Sequence, residues 1–167
     1  MPQIIKNGRI QGDEWKVLRG VGNDAAATMA VPAGRVIVPL AVWQAQRPQL
    51  ASSAEAGMLG VWLTGDTDLA ALADDLMALP LIAVDFPRFT DGRGYSIATQ
   101  LRTRYGYAGE LRAIGDVLCD QFSFMIRCGF STLQPCEERY NRVQIDAALT
   151  RPGDFSGPFP RNRRGTR

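Results

Sequence analysis

The sequence predicts an α/β domain of parallel βαβ repeats with about five strands. These form an incomplete TIM-barrel-like sheet or an open doubly wound one, behind an N-terminal β-hairpin. Three observations predict it. Short apolar runs recur along the chain, each separated from the next by a stretch of helical periodicity. Strands joined through single helices pair in parallel by right-handed crossovers. An Asn-Gly pair near the start lies between two β-prone stretches, a strong hairpin signal because both turn residues must accept positive φ.

Taken in order, Gln3-Ile-Ile-Lys6, Asn7-Gly8 and Arg9-Ile10 make the hairpin, and Trp15-Lys-Val-Leu18 is able to add an edge strand. Gly20 to Gly34 is rich in small residues and reads as a loop. Val36-Ile-Val-Pro-Leu40 is the first apolar run, with Pro39 marking its end. A helix starts at Ala41-Val-Trp43 and is limited or kinked by Pro48. Leu59-Gly-Val-Trp-Leu63 is the second run; Asp66-Thr67-Asp68 then caps a helix whose stripe is Leu69, Leu72, Ala73 and Leu76. Trp43 and Trp62 read as core.

Leu81-Ile-Ala-Val-Asp-Phe86 is the third run, followed by a helix carrying Ile97, Ala98, Leu101 and Tyr105 and stopped by Gly106. Glu110-Leu-Arg-Ala-Ile114 is the fourth. Asp116 is expected to cap the next helix, with Leu118, Phe122, Met125 and Ile126 facing inward and Gly129 closing it. Phe130-Ser-Thr-Leu133 is the fifth run. Pro135 opens a last helical segment with Tyr140, Val143 and Ala147 on one side. A complete eight-unit barrel needs about 250 residues, so 167 exclude it. No glycine fingerprint follows the first strand, which tilts the choice toward barrel-like sequential neighbours.

Three regions follow: a hairpin and loop over residues 1–34, a parallel α/β domain over 35–150, and a basic tail over 151–167 that reads as disordered. The tail carries five arginines against Asp154, or +4; the chain is +2, so residues 1–150 carry −2. The basicity is therefore not on a folded face, and nucleic-acid binding is not expected. No apolar run is long enough to span a bilayer and nothing resembles a signal peptide, so a soluble cytoplasmic protein is expected.

The chain has no histidine, which removes Ser-His and Cys-His nucleophiles and His-ligated metals. Three cysteines, Cys119, Cys128 and Cys136, are too few for an iron–sulfur cluster held by one chain. They read as reduced thiols, with Cys119 and Cys128 on a helix as small hydrophobes. No phosphate-binding P-loop, dinucleotide fingerprint or CxxC occurs, so no metal or cofactor is expected.

In parallel α/β proteins ligands sit beyond the C-terminal ends of the strands. Two loops there are richer than a connection requires. After the third run comes Pro87-Arg-Phe-Thr-Asp-Gly-Arg-Gly-Tyr-Ser96, and after the fourth comes Gly115-Asp116, with Asp120 and Gln121 one turn on. Arg88 and Arg93 beside a helix start favour an oxyanion. Thr90, Asp91, Gly92, Gly94 and Ser96 supply backbone and hydroxyl groups. Structurally, Thr90 or Asp91 would simply cap the helix, with the arginines paired to Asp85, Asp91 and Asp116. Asp85 interrupts an apolar strand and must be paired or functional; Arg112 on the next strand is its expected partner. Asp85, Tyr95 and Asp116 are the candidate acid–base groups, while Tyr105 and Tyr107 read as packing residues.

The motif from Phe86 to Ser96, with Leu101-Arg-Thr-Arg-Tyr-Gly106, Gly109-Glu-Leu-Arg-Ala-Ile-Gly-Asp-Val-Leu118, Asp120-Gln121 and Arg127-Cys-Gly-Phe130, closely resembles the bacterial domain of unknown function 934 family. The resemblance covers roughly residues 3–134; the segment beyond Gln134 departs from it. Such a protein looks like a companion of assimilatory sulfite reductase, whose gene commonly lies beside those of the family, and carries the label of an oxidoreductase of sulfite reduction. The resemblance implies sulfur assimilation, but the chain lacks ligands for the cluster that the reductase uses.

Three functions are therefore carried forward. The first is an accessory protein binding an oxyanion or small anionic metabolite at the loops after the third and fourth strands. The second is a docking module for sulfite reductase with no small-molecule site. The third is a small carboxylate or tyrosine acid–base enzyme. Exposed strand edges in an incomplete barrel make a homodimer a further expectation.

Overall fold

The computed structural model describes residues 2–20 and 25–150; the basic tail lies outside them. It is a mixed α/β structure built on one open, curled eight-stranded sheet, a half-barrel. The strands are β1 (Gln3–Lys6), β2 (Arg9–Gly12), β3 (Lys16–Val17), β4 (Val36–Pro39), β5 (Leu59–Leu63), β6 (Leu81–Phe86), β7 (Glu110–Gly115) and β8 (Thr132–Leu133). The helices are α1 (Leu40–Ala45), α2 (Arg47–Glu55), α3 (Leu69–Met77), α4 (Arg93–Thr103), α5 (Phe122–Cys128) and α6 (Arg142–Leu149).

The spatial order is β2-β1-β8-β7-β6-β5-β4-β3. Strands β3 to β8 are parallel sequential neighbours, and the hairpin β1–β2 adds antiparallel to β8. The expectation of about five parallel strands therefore falls short of the sheet: the edge strand near Trp15 pairs in parallel with β4 and makes a sixth. Sequential order matches the barrel-like arrangement rather than the doubly wound one.

The sheet has to curl because of its connectivity. β2 and β3 stand at opposite edges yet are joined by only Asp13, Glu14 and Trp15. Four Cα–Cα steps reach at most about 15 Å. Seven flat strand spacings would demand roughly 34 Å. The short strap thus draws the two edges toward each other across the concave side.

Alternation along each strand sorts side chains between the faces. Val36, Val38, Leu59, Val61, Leu63, Ile82, Val84, Phe86, Leu111, Ala113 and Leu133 join one large core with the helices. Ile37, Leu81, Ala83 and Ile114 form a small second cluster on the concave face, covered by Trp15, Val17 and Trp62 rather than by a helix. Trp43 lies in the large core; the Trp62 indole N–H donates to the Leu18 carbonyl at 2.9 Å.

Local signals mostly act as read. Asn7 and Gly8 have positive φ, and the Asp68 carboxylate caps α3 by accepting from the Ala70 N–H. Gly129 ends α5 with φ 121°. Pro48 does not merely limit a helix: it lies in the first turn of α2, separate from α1. The last segment needs correction. α6 starts at Arg142 behind an Asn141–Gln144 capping box, so Pro135 is outside it. Its buried residue is Ile145, while Val143 is 74% exposed. Asp116 caps no helix either; a 3-10 turn over Cys119–Gln121 intervenes before α5.

Candidate functional site

The loops after β6 and β7 meet at the C-terminal end of the sheet. Buried Phe86 ends β6, after which residues 87–90 turn outward and are exposed. The Asp116 N–H donates to the Phe86 carbonyl at 2.7 Å, and the Phe89 N–H donates to the Asp116 carboxylate at 2.9 Å. These reciprocal bonds lock the two loops together. Gly115 makes this close approach possible: its φ is +89°, and a Cβ there would stand 2.6 Å from Asp85 Oδ1 and overlap the Phe86 carbonyl.

A third segment completes the site. Residues 136–139, between β8 and α6, pack over the same end. Arg139 Nε lies 2.9 Å from Asp116 Oδ1, and its guanidinium sits 5.8 Å from the centre of the Phe89 ring. Between these segments is an open cleft of about 560 Å³, lined among others by Arg88, Thr90, Asp116, Cys136, Glu138 and Arg139. The Arg88 guanidinium is exposed and has no hydrogen-bond or ion-pair partner among the described residues. Arg139, Glu138 and Cys136 were not foreseen from the sequence. Nothing in their spacing links them to a loop some fifty positions earlier.

The second half of the motif does something else. Asp91 and Arg93 face each other: Arg93 Nε donates to Oδ1 at 2.9 Å and Nη2 to Oδ2 at 2.8 Å, while the Arg93 N–H also reaches Oδ1. Those bonds hold the Asp91 carboxyl down at about 2 and push the Arg93 guanidinium up. The Arg93 charge is therefore already matched. The residue before α4 is Gly92, with no side-chain cap; Thr90 makes no cap, and among the backbone N–H groups of α4 the Asp91 carboxylate accepts from that of Arg93.

Gly94 is a packing residue. A Cβ there would stand 2.7 Å from the Phe86 ring, so its absence lets α4 lie directly on β6. Gly92 has open space and negative φ. Ser96 is exposed on α4. The Tyr95 phenol donates to Gln121 Oε1 at 3.2 Å, and burial pushes its pKa up, away from neutral proton exchange. Asp120 is exposed in the turn beside Gln121. The cleft thus gathers Arg88, Thr90 and Asp116; Asp91, Arg93, Tyr95 and Gln121 satisfy one another outside it.

The expected Asp85–Arg112 pair does not form. Asp85 Oδ1 binds Arg19 Nη1 at 2.8 Å, and that guanidinium also lies over Trp62. Arg112 is fully buried lower on the concave face, held by Asp13 at 2.6 Å and Glu110 at 2.8 Å. The strap between β2 and β3 carries Asp13 to it, a placement no local pattern encodes. Burial pushes the Glu110 pKa up, but Arg112 and Lys6 outweigh it and leave the pKa lowered. Tyr107 is a packing residue as read, its hydroxyl donating to the buried Leu79 carbonyl at 2.7 Å.

Residues 60–164 match the model of a family described as bacterial protein of unknown function (DUF934). The chain belongs to this family. The match runs past Gln134, where the resemblance was expected to stop, and it starts after the hairpin and β4. It therefore includes every segment that lines the cleft. No curated protein and no solved structure matches the chain. No helix of the described residues is long and apolar enough to cross a membrane.

Proposed function

We propose that this DUF934 protein is an accessory protein of assimilatory sulfite reduction that binds a small oxyanion in the cleft between residues 87–90, Asp116 and residues 136–139. The observation that carries the binding site is Arg88: an exposed guanidinium at the C-terminal end of a parallel sheet, lining a cleft, with no ion-pair partner among the described residues. A fork of N–H donors suits an oxyanion geometrically. Arg139 lies on the same cleft with its position fixed by Asp116 and Phe89. The link to sulfite reduction comes from the family resemblance. In this reading Arg93 plays no part, since Asp91 already pairs its charge through Nε and Nη2.

The affinity is modest. Hydrogen bonds to charged groups are worth about 1.5–3 kcal/mol each, and one or two in an open cleft correspond to dissociation constants on the order of 1 mM. Titration calorimetry with sulfite, sulfate and phosphate tests the reading. Arg88→Ala should weaken binding about tenfold or more, a loss of about 1.4 kcal/mol, whereas Arg93→Ala should leave it unchanged. No heat at millimolar anion, or the same affinity in Arg88→Ala, sinks it.

A second reading, docking on sulfite reductase, is favoured by one observation. Phe89 and Phe124 are 48% and 46% exposed, and the Phe124 ring lies 4.9 Å from that of Tyr95, in the first turn of α4. Exposed aromatic side chains are common anchors of protein interfaces. Co-purification with the reductase that survives Arg88→Ala but is lost in Phe89→Ala plus Phe124→Ala supports docking without a small-molecule site.

A further inference from the structure

The cleft between the loops holds two side chains of opposite charge that stay unpaired among the described residues. Arg88 comes from the segment after β6, and Glu138 from the segment between β8 and α6. Both are exposed and both line the cleft. Neither side chain has a hydrogen-bond or ion-pair partner among the described residues, so they do not pair with each other either. The remaining charges of the cleft are matched. Arg139 Nε lies 2.9 Å from Asp116 Oδ1, and Asp116 Oδ2 accepts from the Phe89 N–H at 2.9 Å. Both oxygens of Asp116 are therefore occupied, and the Arg139 charge is neutralised in place. What is left is one guanidinium and one carboxylate, whose charges cancel.

That balance suits a bare anion poorly. An anion on Arg88 shares the open cleft with the unpaired Glu138 carboxylate, which repels it. A simple cation on Glu138 meets the same objection from Arg88. A molecule that carries an oxyanion and a protonated amine satisfies both side chains at once. The guanidinium donates to the oxyanion, and the ammonium donates to the carboxylate, which is an acceptor only. Arg and Glu are long, rotamer-rich side chains, so their heads can close on a ligand from an exposed start. Thr90 lines the same cleft with a hydroxyl that donates or accepts. A volume of about 560 Å³ is that of a small-molecule site.

We infer that the cleft takes a small zwitterion, with an oxyanion at one end and a protonated amine at the other, of the aminoalkanesulfonate kind. The inference rests on the oxyanion reading above, since Arg88 receives the anionic end in both. It adds Glu138 as the residue that tells a zwitterion from a bare anion. Asp116 cannot take that role, because Arg139 and the Phe89 N–H already hold its oxygens.

The test is an amide-detected NMR titration of the full chain at neutral pH and low salt. The ligands are taurine, isethionate, which has a hydroxyl in place of the ammonium, and sulfite. Taurine should bind about two- to fivefold more tightly than isethionate, the worth of one exposed ion pair, and the preference should shrink at high salt. Glu138→Gln should weaken taurine by about the same factor while tightening sulfite, so that the two ligands respond in opposite directions in one folded protein. Arg88→Ala should weaken all three. Taurine no tighter than isethionate, or taurine unaffected by Glu138→Gln, while sulfite still binds through Arg88, overturns the inference and leaves the oxyanion reading standing. No saturable shift with any of the three at millimolar concentration overturns both.

Discussion

Asp13 and Arg112, 99 positions apart in the chain, form a buried ion pair of 2.6 Å on the concave face of the sheet. The pair ties the strap that joins the two sheet edges to the middle of β7. Arg112 is held on its other side by Glu110, which also receives Lys6 of β1 at 2.9 Å. One polar network thus connects β1, β7 and the strap, and its members neutralise one another within the curled sheet.

Removing one partner of such a pair leaves a buried charge, at a cost of about 3–5 kcal/mol. Glu110 continues to hold Arg112, which places Asp13→Ala at the lower end, about 3 kcal/mol. Urea unfolding should show a midpoint well below that of the parent with an unchanged slope. A loss under about 1 kcal/mol would mean that the strap is not pinned there.

Gly94→Ala reverses the usual sign of its substitution. Within a helix, alanine is better than glycine by about 1 kcal/mol. Here a Cβ would stand 2.7 Å from the Phe86 ring and 3.1 Å from Val84 Cγ1, both buried. Overpacking of that kind costs about 1–3 kcal/mol, so the net effect is destabilising. Thermal unfolding checks it; a raised Tm would contradict the packing of α4 on β6.

The Asp91 carboxyl should titrate at about 2 rather than near 4, because Arg93 bonds to its charged form. A depressed carboxylate contributes stability above its unfolded value and loses it as pH falls through the folded one. The Asp91–Arg93 contribution is thus full above about pH 4 and gone below about pH 2. Carboxyl-detected NMR titration reads this directly. Arg93→Ala should return Asp91 to the ordinary range, and an ordinary value in the parent would contradict the pairing.

In the proposed reading, Glu138 would oppose an anion in the cleft. It is exposed, lines the same wall as Arg88, and has no ion-pair partner among the described residues. Glu138→Gln should tighten oxyanion binding two- to fivefold, roughly 0.4–1 kcal/mol, with the gain shrinking as salt screens it. Calorimetry at low and high ionic strength measures both effects. Weaker binding in this variant would place the anion elsewhere.

The sheet was legible in the sequence where burial is strong and local. The runs at 36–40, 59–63 and 81–86 are apolar on both faces because a parallel strand of this sheet is buried on both, and Asn7-Gly8 announces its turn chemically. The last helix was less legible. Val143 and Ala147 read as an inward stripe, but both are exposed, because α6 meets the core through the face that carries Ile145, Ala148 and Leu149. Charge partners were the least legible. Asp85 and Arg112 are close in sequence pattern and on neighbouring strands, yet Arg19 and Asp13 take them, brought in by the strap after the hairpin. For the same reason Arg139 was missed: its partner Asp116 lies 23 positions earlier, across a strand and a helix.

The proposal of an oxyanion site in the cleft is tested most directly by amide-detected NMR of the full chain titrated with sulfite. Saturable shifts centred on Arg88, Phe89, Thr90, Asp116 and Arg139, lost in Arg88→Ala and retained in Arg93→Ala, are the expected result. Shifts that are absent at millimolar sulfite, or that centre on residues 91–96 and depend on Arg93, would contradict it.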